Sequence, residues 1–134
     1  MTKIDDIEGI GSTYAAKLES AGVKSVEALL TTGSTPKGRK DLSGKSGIDE
    51  TLILKWVNRA DLARIKGVGS ECADLLEAAG VDTVVELGNR KAQNLVDKMT
   101  EVNETKHLVR KLPSLSQVED WVKQAKELPR AVTY

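Results

Sequence analysis

At 134 residues and 40% apolar content, the chain can bury the core of one ordinary domain or of two very small ones. Its 20 basic side chains are matched by 20 acidic ones, so no net positive field draws in a polyanion, and a single cysteine, Cys72, excludes an intramolecular disulfide framework. No charged-then-apolar leader opens the sequence and no apolar run nears the roughly 20 residues of a membrane span, which predicts a cytoplasmic protein without a membrane partner.

The first recognisable stretch is "IEGIGSTYAAKLESAGV", residues 7–23. A short helix ending at Ile7 is expected to turn at Gly9 and Gly11 into a second helix, which Gly22 stops because glycine accepts the left-handed conformation at low cost. The next helix begins at Ser25. Residues 31–47, "TTGSTPKGRKDLSGKSG", are rich in Gly, Ser and Pro; Thr35 before Pro36 predicts a short capped helix, with loop resuming near Gly44. Leu52, Ile53, Trp56, Val57 and Ala60 then recur at the three-and-four spacing of a helix with one buried stripe.

The opening pattern returns as "IKGVGSECADLLEAAGV", residues 65–81, with Gly80 as its stop signal. Thr83 with Glu86 has the spacing of a capping box, residues 91–111 suit a longer charged helix ended by Pro113, and Ser116 with Glu119 suggests the cap of a last helix. That helix carries Val118, Trp121, Val122 and Ala125 as its stripe, and the residues after Pro129 read as an extended tail. No alternating strand pattern is present, so the fold class expected is all-α.

Residues 7–29 match residues 65–87 at twelve of twenty-three positions, from Ile7 and Ile65 to Leu29 and Leu87. The late stripe matches too: Ile53, Trp56, Val57 and Ala60 align with Val118, Trp121, Val122 and Ala125 once seven more residues are allowed in the second copy. The sequence therefore reads as an internal duplication giving two fused units, 1–60 and 61–128, each with an early Gly-x-Gly turn and a late Trp-bearing helix, followed by a tail at 129–134. Equivalent tryptophans in the two copies are expected to be core anchors.

Each Gly-x-Gly turn leaves successive backbone N–H groups free at a helix start, where the helix dipole is positive. These amides, with the Ser12, Thr13 and Ser70 hydroxyls, suit a phosphate oxygen. The two stretches resemble helix-hairpin-helix motifs through Ile7, Gly9, Ile10, Gly11, Ala15 and Leu18, and through Ile65, Gly67, Val68, Gly69, Ala73 and Leu76. With "ADLARIKGVG", "AAGVDTVVEL", "VEDWVKQAKELP" and "VTY", nearly the whole chain also resembles an uncharacterised prokaryotic domain-of-unknown-function family built from two such units. The motif resemblance implies a binding module contacting duplex DNA without sequence preference, through Gly9, Gly11, Ser12 and Thr13 and through Lys66, Gly67, Gly69 and Ser70. It also allows a monovalent cation on hairpin carbonyls.

Charge works against this reading locally. From Asp5 to Ser20 there is one Lys against Asp5, Asp6, Glu8 and Glu19, and from Ile65 to Gly80 one Lys against Glu71, Asp74 and Glu77. Many members of the motif class carry Lys or Arg after the second glycine, where this chain has Ser12 and Ser70. Cations must come from elsewhere: Lys37, Arg39, Lys40 and Lys45 in the middle segment, or Lys106, Arg110 and Lys111 beside His107. Only four aromatics and no Phe leave little for base stacking. The alternative is a protein-interaction module whose hairpins are purely structural. A lone His and a lone Cys form no metal cluster, Cys72 reads as a packing residue, and neither turn has the Lys-Ser/Thr of a P-loop or the preceding strand of a dinucleotide fold, so no catalytic activity is expected.

Overall fold

The computed structural model describes residues 3–7 and 10–133, with the side chains of Asp6 and Ser70 outside that description. Eight α-helices and one 3-10 turn account for the regular structure among these residues, and the fold is all-α. The chain divides into two units, Met1–Asp61 with Ala131–Tyr134, and Leu62–Arg130. The second is thus inserted between two segments of the first. Of the tail read as extended, 129–130 fall in the second unit and the residues from Ala131 on in the first.

In the first unit a 3-10 turn (Ile4–Asp6) precedes α1 (Ser12–Ser20), α2 (Val26–Thr32), α3 (Pro36–Ser46) and α4 (Glu50–Leu62), whose last residue, Leu62, begins the second unit. Helix α1 stops where glycine was expected to stop it. Gly22 has φ +92°, its N–H donates to Glu19 O at 3.0 Å, and Val23 N–H reaches back to Leu18 O at 2.9 Å, which satisfies carbonyls the helix end would orphan. Ser25 caps α2 by accepting from Ala28 N at 3.0 Å, and Thr35 caps α3 by accepting from Gly38 N at 3.1 Å. Helix α3 runs past Gly44 to Ser46, because an exposed Gly costs a helix only about 1 kcal/mol against Ala; it ends at Gly47, φ +73°. On α4 the stripe Ile53, Trp56, Val57 and Ala60 is buried, and Tyr14 of α1 meets the Trp56 ring edge-on with centroids 5.1 Å apart.

The second unit holds α5 (Ser70–Ala78), α6 (Val84–Gly88), α7 (Ala92–Lys106) and α8 (Leu115–Glu127). Its first helix ends as α1 does, with Gly80 at φ +95°, Gly80 N–H on Glu77 O at 3.0 Å and Val81 N–H on Leu76 O at 2.8 Å. Thr83 caps α6 through Glu86 N at 3.2 Å. Helix α7 is shorter than the sequence suggested, closing at His107 (φ 50°). The cap of α8 is Ser114 with Gln117, not Ser116 with Glu119. Both halves of the box are made, Gln117 N–H to Ser114 Oγ at 3.2 Å and Ser114 N–H to Gln117 Oε1 at 2.9 Å, directly after Pro113. Helix α8 lies against α6 and α7, and its stripe Val118, Trp121, Val122 and Ala125 is buried in the second core. Both tryptophans are core anchors, Trp56 at 2% and Trp121 at 3% exposure.

Candidate nucleic-acid interface

The turns that lead into α1 and α5 have the same backbone bonds. Ile10 N–H donates to Ile7 O at 3.1 Å, and Val68 N–H donates to Ile65 O at 3.2 Å, so each apolar residue between the glycines is drawn into its core. The elements before them are not the helices expected to end at Ile7 and Ile65. A 3-10 turn ends at Asp6 in one case, and α4 ends at Leu62 in the other, followed by an Ile65 N–H bond to Leu62 O at 3.1 Å. Gly9 lies outside the described residues.

Gly11 and Gly69 stand at the N-caps of α1 and α5 with near-identical geometry, φ −82°, ψ −179° and φ −87°, ψ −179°. Neither helix has a side-chain cap, so the amides of Ser12 and Thr13 and those of Ser70 and Glu71 point out of the first turns without a capping acceptor among the described residues. These glycines are not demanded by conformation, since any residue adopts that backbone. Nor are they demanded by packing, since a Cβ at either would meet nothing within 4 Å. They keep the approach to the helix start open. Ser12 and Thr13 are exposed beside it.

Gly67 is different. Its φ is +98°, and a Cβ there would stand 2.9 Å from Trp121 Nε1, so the first glycine of the second turn is required twice over. The turn is also clamped to α8 by Gln124, which the sequence did not mark. Lys66 N–H donates to Gln124 Oε1 at 2.9 Å, Gln124 Nε2 donates to Lys66 O at 3.1 Å, and the same Nε2 donates to Asp120 Oδ2 at 2.8 Å. This leaves the Lys66 side chain exposed on a fixed backbone. In the second turn Ile65 O accepts from Val68 N and Lys66 O accepts from Gln124 Nε2.

The middle-segment cations separate into two kinds. Lys37, Lys40 and Lys45 are exposed on α3, which packs against α1, so they share a unit with the first helix start. Arg39 is withdrawn from any phosphate track. It is 6% exposed, with Nη1 donating to Gly33 O and Nη2 to Thr133 O, each at 2.8 Å. The reason is its register: three residues before the buried Leu42, it falls on the face of α3 turned into the core. Lys106, His107, Arg110 and Lys111 are exposed at and after the end of α7, the helix that packs against α5.

Cys72 packs partly buried against the second core, and burial followed by the neighbouring Glu71 carboxylate pushes its thiol up, which favours the protonated form. No group of three or more His, Cys, Asp or Glu side chains among the described residues is arranged to hold a metal ion. No helix among them is long and apolar enough to cross a membrane. No curated protein and no solved structure matches the chain. A family model does match, over residues 8–128, and so takes in both turns and both Trp-bearing helices. The chain belongs to the family described as Domain of unknown function (DUF4332).

Proposed function

We propose that this protein is a non-enzymatic module of two helix-hairpin-helix units that binds duplex DNA weakly and without sequence preference, through hairpin amides set against phosphates. The observation that carries the reading is the pair of open, uncapped helix starts at Gly11 and Gly69, where an anion would satisfy orphan N–H groups and meet the positive end of a helix dipole. Lys37, Lys40 and Lys66 are the exposed cations that supply counterion release. The test is fluorescence anisotropy of a labelled duplex at low and rising salt, with a Gly11→Asp, Gly69→Asp chain as comparison. Binding that is absent at low salt, or that is the same in the doubly substituted chain, removes the hairpin mechanism.

A protein-interaction module is the second reading, and one observation favours it. The hairpins are acidic in sequence, and Arg39, one of the cations that would offset this, is committed to backbone carbonyls. That reading expects a protein partner to remain in a pull-down after nuclease treatment.

A further inference from the structure

Residues 131–133 rejoin the first unit through contacts of the kind by which folded domains hold short extended peptides, with main-chain groups paired and a side chain sunk beside them. Thr133 N–H donates to Ser34 O at 2.8 Å and the Thr133 hydroxyl donates to the same oxygen at 3.2 Å. Thr133 O accepts from Arg39 Nη2 at 2.8 Å. Val132, the residue before Thr133, is 2% exposed within the first core, with Ala131 partly buried against that core.

The receiving side is fixed by bonds of its own. Arg39 Nη1 is held on Gly33 O at 2.8 Å, Gly33 N–H donates to Leu29 O at 2.9 Å, and a Cβ at Gly33 would collide with Val57 Cγ2, so the chain at 33–34 is pinned against α4. The polar bonds of Thr133 given above are made to one arginine and one main-chain carbonyl. None of them depends on the segment being continuous with α8.

We propose that the surface formed by Gly33, Ser34 and Arg39 over the first core is a binding site for an extended Ala-Val-Thr segment, filled in cis by residues 131–133 and open to the same segment of a second copy in trans. The cis segment dominates because its tether gives it an effective concentration of the order of millimolar. Disabling it exposes the site.

The test uses the full chain carrying Val132→Asp, which sets a carboxylate where an apolar side chain is buried and leaves the receiving residues intact. A fluorescein-labelled peptide of residues 128–133, Leu-Pro-Arg-Ala-Val-Thr, is titrated against it by anisotropy. The variant is expected to bind the peptide, the unaltered chain to bind it roughly tenfold more weakly or worse, and Arg39→Gln added to the variant to abolish binding. The same peptide with Asp in place of Val should not bind. Equal affinity for variant and unaltered chain overturns the proposal, as does no binding to a variant whose circular dichroism matches that of the unaltered chain. If Val132→Asp prevents folding, hydrogen exchange in the unaltered chain decides: the Thr133 amide should exchange through a local opening, faster than the Val57 amide inside α4. A Thr133 amide that exchanges only with global unfolding overturns it too.

Discussion

Replacing Gly11 and Gly69 together by Asp separates folding from binding, because the two are expected to move in opposite directions. Each glycine has an extended N-cap backbone and open space where a Cβ would stand, so Asp enters without strain. As an N-cap, Asp improves on Gly by about a few tenths of a kcal/mol, and its charge at the helix start adds about 0.3–1 kcal/mol. Each unit should therefore gain about 0.5–1 kcal/mol, a rise in Tm of about 2–8 °C for units of this size. For a phosphate the same change is adverse. It occupies the amides and sets a like charge about 4 Å away, worth about 1–4 kcal/mol in surroundings between water and protein surface, so duplex affinity should fall about fivefold or more for each turn. Thermal unfolding followed by circular dichroism and anisotropy of a labelled duplex at low salt measure the two sides. A doubly substituted chain that is less stable than the original would show that the glycines serve the fold, and one that binds the duplex unchanged would show that the amides hold no phosphate.

Four other outcomes follow from the same geometry. With Lys37, Lys40 and Lys66 as the phosphate contacts, the slope of log K against log salt should be about −2.7, a roughly fortyfold loss between about 50 and 200 mM salt, and replacing all three by Gln should bring it near zero. Arg39→Gln should leave that slope unchanged while lowering stability by about 2–4 kcal/mol in urea denaturation, since it strips a charged donor from two carbonyls. Gly67→Ala should cost about 1–3 kcal/mol, from its φ of +98° and its collision with Trp121, whereas Gly69→Ala should cost under about 1 kcal/mol; urea midpoints distinguish them. The Cys72 thiol is raised in the fold, so the native state keeps its proton to higher pH than the unfolded chain does. Its contribution to stability is level below the ordinary thiol value of 9.0 and declines as pH rises beyond it, and alkylation by iodoacetamide should be slow at neutral pH and accelerate only above that value.

Features set by neighbours in the sequence were readable in advance. Gly22 and Gly80 end their helices, and Ser25, Thr35 and Thr83 cap the next ones, because each signal acts over four or five residues. The stripes around Trp56 and Trp121 were readable because burial at helical spacing leaves its mark on composition. The start of α8 was ambiguous, since Ser114-x-x-Gln117 and Ser116-x-x-Glu119 are overlapping boxes and only the first abuts Pro113. Arg39 was unreadable for a different cause. Its partner Thr133 lies 94 residues away, so a cluster of basic residues concealed one that belongs to the core, although its place three residues before Leu42 was a usable hint. Gln124 escaped for the same reason, its bonds to Lys66 spanning 58 residues.

The indole of Trp121, set where a Gly67 side chain would be, makes the second turn optically addressable. Trp56, the other indole, lies in the first unit against Tyr14, so a Trp56→Phe chain reports through Trp121 alone. Emission from that single fluorophore senses whatever settles on the turn next to it, without a label and without altering a residue of the turn. A titration of the native turn with duplex, inorganic phosphate or a protein partner can then be followed by colour and lifetime from within the molecule itself.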